Sequence, residues 1–107
     1  MGMRTTFVAK TTIDGGTMIP SHRPPTHPGE MLLEEFLKPM GMTQVEAADR
    51  MDISVNRMNE LIRGKRGITA DTALRLAKLL KTSPEFWMNL QAVWDLYHAK
   101  RALAAAG

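Results

Sequence analysis

Residues 43–66, Thr43-Gln-Val-Glu-Ala-Ala-Asp-Arg-Met-Asp-Ile-Ser-Val-Asn-Arg-Met-Asn-Glu-Leu-Ile-Arg-Gly-Lys-Arg66, constrain the fold more than any other stretch. Thr43 and Glu46 have the spacing of a capping box, in which each side chain satisfies a backbone N–H at the start of a helix. Val45, Ala48 and Met51 follow at helical spacing, and Ala47 and Ala48 are small enough for a second helix to approach closely. Only Asp52-Ile53 separates this helix from Ser54, a favoured N-cap for the next. In the second helix Met58, Leu61 and Ile62 form an inner face, leaving Val55, Asn56, Arg57, Asn59, Glu60 and Arg63 to point outward. Gly64 stands where a C′ residue with positive φ would end the helix. Two short helices joined by a tight turn predict a helix-turn-helix, which in DNA-binding proteins lays its second helix in the major groove.

The charge distribution favours that reading over an antiparallel helix pair of no particular function. Residues 54–66 carry Arg57, Arg63, Lys65 and Arg66 against Glu60 alone, a net of +3. Residues 28–52 are acidic, with Glu30, Glu34, Glu35, Glu46, Asp49 and Asp52 against Lys38 and Arg50. The chain's overall +3 says little by comparison. An excess concentrated beside the second helix is the footprint expected of a phosphate-binding surface.

The remaining chain reads as helical. A first helix is predicted from Pro28 to about Pro39, with His27 as its cap and Met31, Leu32, Phe36 and Leu37 inward. A fourth begins after Thr69, with Ala73, Leu74, Leu76, Ala77, Leu79 and Leu80 packing, and a fifth follows Ser83-Pro84-Glu85 to about Ala102. The prediction is an all-α protein of five helices at residues 26–103, preceded by an N-terminal arm at residues 1–25. Pro20, Pro24 and Pro25 exclude regular helix from the arm. Residues 1–17 are polar and Thr-rich and read as flexible; the other reading is a toxin-contacting or minor-groove arm carrying Arg4, Lys10 and Arg23.

Helix five presents a second signal. Phe86, Trp87, Leu90, Val93, Trp94 and Tyr97 cover more than one face, so two sides require burial unless all six serve a single core. A homodimer with Trp87, Trp94 and Tyr97 shared between core and interface is expected, since two-fold binders read paired half-sites. Of the nine methionines, Met31, Met51, Met58 and Met88 are placed in the core as adaptable filling.

Other functional classes find little support. His22, His27 and His98 have no metal-ligand spacing, and there is no cysteine to supply a thiolate or disulfide. Gly15-Gly16 lacks the surroundings of a phosphate loop, and Glu34-Glu35 reads as a solvated pair on an amphipathic helix. No enzyme, cofactor or metal is therefore expected. With neither an apolar spanning segment nor a signal-peptide core, a soluble cytoplasmic protein without membrane association is expected.

Residues 43–66 resemble the Xre/phage-repressor helix-turn-helix family. Three further stretches resemble its HigA (VapI-like) branch of type II antitoxins: His27-Pro-Gly-Glu-Met-Leu-Leu-Glu-Glu-Phe-Leu37, Gly64-Lys-Arg-Gly-Ile-Thr-Ala-Asp-Thr-Ala-Leu-Arg-Leu76 and Phe86-Trp-Met-Asn-Leu-Gln91. The likeness runs from about Ile19 to Arg101. It implies a lambda-repressor-like five-helix fold and an antitoxin that neutralises a HigB-type mRNA-cleaving toxin while repressing its own operon. A stand-alone phage-type regulator with no toxin partner shares the same residues and remains the alternative.

Candidate roles on the second helix combine geometry with the resemblance. Val55 and Asn56 enter the groove first; Asn pairs bidentately with adenine and Val touches a thymine methyl. Arg57 reaches guanine or a phosphate. The resemblance implies that Glu60 reads a base and that Gln44, on the first turn of the preceding helix, contacts phosphate. A salt bridge to Arg57 or Arg63 is the other reading of Glu60. Arg63, Lys65 and Arg66 are expected on phosphates, where they position without reading sequence.

Overall fold

A computed structural model describes residues 24–106. The expectations for Met1–Thr17 and Arg23 fall outside these residues. The described residues form five helices in series, with no strand among them. The first, α1, is continuous through Pro28–Met31, Leu32–Leu37 and Lys38–Met40; α2 spans Gln44–Met51, α3 Val55–Ile62, α4 Ala70–Leu80 and α5 Pro84–Ala106. Helices α2 and α3 are the helix-turn-helix. Against them pack α4 behind α2 and α1 across α3, with α5 closing on α4 and α1.

Local chemistry sets each boundary. His27 Nδ1 accepts from the Gly29 N–H at 2.9 Å, and Pro28 occupies the first helical position, where no N–H is needed. The middle of α1 is widened to a π-helical register, with the Lys38 N–H reaching back five residues to the Leu33 carbonyl. Pro39 gives the reason: it has no N–H for the Glu35 carbonyl, and its ring would press on that carbonyl in a regular α turn. Gly41, at φ 64°, ends the helix and turns the chain into α2.

The core is built from Leu32 and Leu37 of α1, Ala47, Ala48 and Met51 of α2, Met58 and Leu61 of α3, then Ile68, Ala73, Leu76 and Trp87. Met31 and Phe36 pack against it from α1, as expected. Trp87 is completely enclosed and donates from Nε1 to Thr82 Oγ1 at 2.8 Å, so its polar end is satisfied as well. Three inward placements are corrected. Val45 and Leu74 are each 60% exposed, and Met88 also lies on the surface. Leu74 follows Ala73 by one residue, which turns it about 100° around α4 and out of the buried arc. Val45 lies at the edge of an α2 face that Ala47, Ala48 and Met51 define instead.

Gly29 is the tightest point of the fold. A Cβ built there would overlap the Leu61 carbonyl oxygen and lie 2.7 Å from its carbon, so α1 crosses the end of α3 backbone to backbone. His27, buried beside it, meets the Trp94 ring edge-on at 4.9 Å. Burial pushes the imidazole below its ordinary value of 6.5, and the nearby Asp95 and Glu30 pull the other way without overcoming it.

Gly29→Ala is expected to destabilise the protein by about 3 kcal/mol or more, the upper range for overpacking, because backbone cannot yield as a side chain can. A urea melt measures this, and an unchanged midpoint contradicts it. Folding also favours neutral His27, since a protonated Nδ1 cannot accept from Gly29. Stability from this group is thus present above about pH 6.5 and lost as pH falls below it. His27→Asn keeps a capping oxygen and removes that titration, so melts across pH 5–7 should show a flatter slope in the variant.

Candidate nucleic-acid interface

The outer side of α2 and α3 carries the polar residues singled out by the sequence, and several elements hold it in place. At the start of α2 the capping box is complete: Thr43 Oγ1 accepts from the Glu46 N–H at 3.1 Å, and Glu46 Oε1 accepts from the Thr43 N–H at 3.0 Å. The backbone bond from Thr43 holds the Glu46 carboxyl below its ordinary range. At the turn Asp52 takes the left-handed conformation (φ 59°), and Ser54 Oγ accepts from the Arg57 N–H at 3.0 Å to begin α3. Gly64, at φ 75°, closes α3 as expected, with the Lys65 N–H reaching the Glu60 carbonyl at 2.8 Å.

Val55 and Asn56 stand exposed on the first turn of α3. Gln44, on the first turn of α2, lies alongside: its Oε1 accepts from Asn59 Nδ2 at 3.3 Å, which ties the two helices across their outer faces. Glu60 pairs with neither Arg57 nor Arg63. One of its oxygens receives both Nε and Nη2 of Arg66, at 3.1 and 2.7 Å, so the chain after Gly64 folds back along α3. Arg63 and Lys65 are exposed, and among the described residues neither forms an ion pair.

Arg57 is placed differently from its neighbours. Its Nη2 donates to Asp71 Oδ2 at 2.9 Å and to Thr72 Oγ1 at 2.8 Å, drawing the guanidinium toward the first turn of α4. Its Nε is buried without a partner. Asp71 Oδ2 also accepts from Arg75 Nε at 2.9 Å, and Arg75 Nη1 donates onward to the Met51 carbonyl at 2.7 Å, at the end of α2. The bonds from Arg57 and then Arg75 hold the Asp71 carboxyl below the usual carboxylate range. Asp71, Thr72, Arg75 and Asn59 had no assigned role in the sequence. The four-residue spacing of Asp71 and Arg75 signals an ion pair on one helix, but nothing local announces its reach to α2 and α3.

On α5, Trp87 has no exposed surface with which to meet a second copy, because the domain core encloses it. Trp94 and Tyr97 are half-buried, with Trp94 lying between His27, which it meets edge-on, and His98, which is tilted against it. The most exposed of the large apolar side chains on this helix are Leu96 and Leu103, 58% and 74% exposed. Seven residues apart, they share the side of the helix opposite Trp87 and Trp94.

Among the described residues no group of three His, Asp or Glu side chains is placed to hold a metal ion, and no helix is long and apolar enough to cross a membrane. What the outer face can do is bind an anionic polymer. Amide side chains at the exposed start of α3 suit base edges, and cations beyond its end suit phosphates.

Comparison with known proteins agrees with this arrangement. Residues 33–87 match the helix-turn-helix family model. Virulence-associated protein I of Dichelobacter nodosus is 46% identical over 73% of this chain and 72% of its own length. Antitoxin HigA-1 of Vibrio cholerae is 42% identical over 73% of each. The structure of Pseudomonas aeruginosa antitoxin HigA with the higBA promoter superimposes with a TM-score of 0.74 at 39% identity, covering 77% of this chain and 89% of that one. The chain belongs to the Xre-type helix-turn-helix family, in the branch of the HigA antitoxins and VapI-like proteins.

Proposed function

We propose that this protein acts in the cytoplasm as an antitoxin that binds the operator of its own operon and neutralises a HigB-type mRNA-cleaving toxin. The observation that carries the DNA-binding half is the outer face of α3. Asn56 and Val55 are exposed on its leading turn, while Arg63 and Lys65, beyond its midpoint, have no carboxylate partner among the described residues. In this reading Val55 and Asn56 contact bases, joined by Glu60, and Gln44, Arg63, Lys65 and Arg66 contact phosphates. Glu60 and Arg66 neutralise each other in the free protein, so they separate or move together as DNA binds. Similarity to antitoxin HigA-1 and to antitoxin HigA with the higBA promoter supports both halves. Co-purification with a small basic RNase encoded beside this gene would distinguish the antitoxin from a stand-alone regulator.

A salt titration with the DNA immediately upstream of the operon and a shuffled duplex of equal length tests the interface. Arg63→Ala with Lys65→Ala should weaken binding to both duplexes and lower the salt slope by roughly 2, about one unit per lost phosphate contact. Asn56→Ala should cost about 1–3 kcal/mol on the upstream DNA and much less on the shuffled one. An unchanged slope, or equal losses for Asn56→Ala on both duplexes, contradicts these roles.

We further propose a homodimer joined through α5, with Leu96 and Leu103 at its centre and Tyr97 at its margin, while Trp94, on the opposite side, packs against His27. The exposure of the two leucines on the side facing away from the domain supports this arrangement. Leu96→Glu with Leu103→Glu should yield a helical monomer by sedimentation, since a charge is tolerated on a free surface and disfavoured in an interface. A dimer of unchanged stability places the interface elsewhere.

A further inference from the structure

Asp71 lies outside the helix-turn-helix, yet its carboxylate joins the two helices that compose it. One oxygen, Oδ2, receives Arg57 of α3 and Arg75 of its own helix. Arg75 continues to the Met51 carbonyl at 2.7 Å and the Asp52 carbonyl at 3.4 Å, at the turn between α2 and α3. The C-terminal carbonyls of a helix lack intrahelical donors and favour a cation. Arg75 therefore caps α2, Arg57 braces the first turn of α3, and Asp71 orients both. Thr72 Oγ1 provides the second acceptor that fixes the Arg57 guanidinium. Arg57, a side chain of α3 that could read DNA, is thus turned toward α4 instead.

Resting on the reading of α3 as the DNA-reading helix, we propose that Asp71 is a positioning residue for sequence recognition and that Arg57 acts through it rather than by reading a base. The chain Arg57–Asp71–Arg75–Met51 sets the angle at which the first turn of α3, with Val55 and Asn56, is presented. Bidentate base contacts require tight placement, so loosening this turn reduces discrimination before it reduces general affinity.

Electrostatics alone gives the opposite expectation, which makes the proposal testable. A carboxylate beside a DNA-binding face repels phosphate, and its removal also releases Arg57 as a free cation. If Asp71 is only a surface charge, Asp71→Asn should bind all DNA at least as tightly as the natural protein. If it positions α3, Asp71→Asn should bind the upstream operon DNA roughly tenfold more weakly, the scale of one lost charged hydrogen bond, with binding to a shuffled duplex unchanged or stronger. Arg57→Gln should show the same fall in the ratio of upstream to shuffled affinity, and the double variant should be no worse than the weaker single one.

The measurement is fluorescence anisotropy on the full chain with both duplexes, well below the melting temperature of each variant as fixed by circular dichroism. Tight upstream binding by Asp71→Asn overturns the proposal. So does a loss from Arg57→Gln that persists in the Asp71→Asn background and vanishes when one base pair is changed, because that is the signature of a base reader. Arg57→Lys, which keeps the charge but not the fork, should resemble Arg57→Gln; full recovery of the ratio by lysine also overturns it. Failure of the unaltered protein to prefer upstream over shuffled DNA would overturn the DNA-binding reading itself, a result distinct from either of these.

Discussion

The contact between Gly29 and Leu61 fixes α3 to the rest of the domain. At this crossing α1 meets the last turn of α3 with no side chain between the two backbones. Everything near it follows from that closeness. His27 is buried because it precedes the crossing, and it caps α1 with a ring nitrogen that must be unprotonated. Gly64 passes over the same ring, where a Cβ would lie 3.7 Å from it, so the end of α3 and the start of α1 share one small space. Trp94 covers the ring from α5. Met58 and Leu61 reach the core only because the helix axes are this near.

The opposite end of α3 is held by different physics. Around Arg57 the restraints are charged, half-exposed and made by side chains, whereas around Leu61 they are apolar and made by backbone. Packed backbone offers one arrangement at the last turn, so the placement of the leading residues depends on the charged network at the first turn. The same ion pairs shape the potential of the surface. Arg57 and Arg66 are matched by Asp71 and Glu60, and among the described residues Arg63 and Lys65 form no such pair.

Much of this was legible in the sequence because it is governed by local chemistry. The capping box, the two-residue turn, Ser54, Gly64 and the His27-Pro28 start each act within a few residues, and each forms as the pattern implies. Inward faces were read less well. Val45 and Leu74 are apolar residues beside a buried arc, and apolar spacing alone does not say where the arc ends. Trp87 and Trp94 looked equivalent on α5, yet one is enclosed and the other meets edge-on the histidine that caps α1. Of the Asp71 network only the Asp71–Arg75 pair was legible, since the links to Arg57 and Met51 span 14 and 24 residues and form only in the folded chain.

Entry of α3 into a major groove is tested most directly by dimethyl sulfate protection of the upstream operon DNA, because the reagent reports guanine N7 on the major-groove edge. The expected result is two protected clusters about one helical turn apart, roughly 34 Å, related by two-fold symmetry. The protection should weaken when Asn56 is replaced by alanine. Protein bound to this DNA with every guanine N7 still reactive, and protection limited to the minor groove, would contradict it.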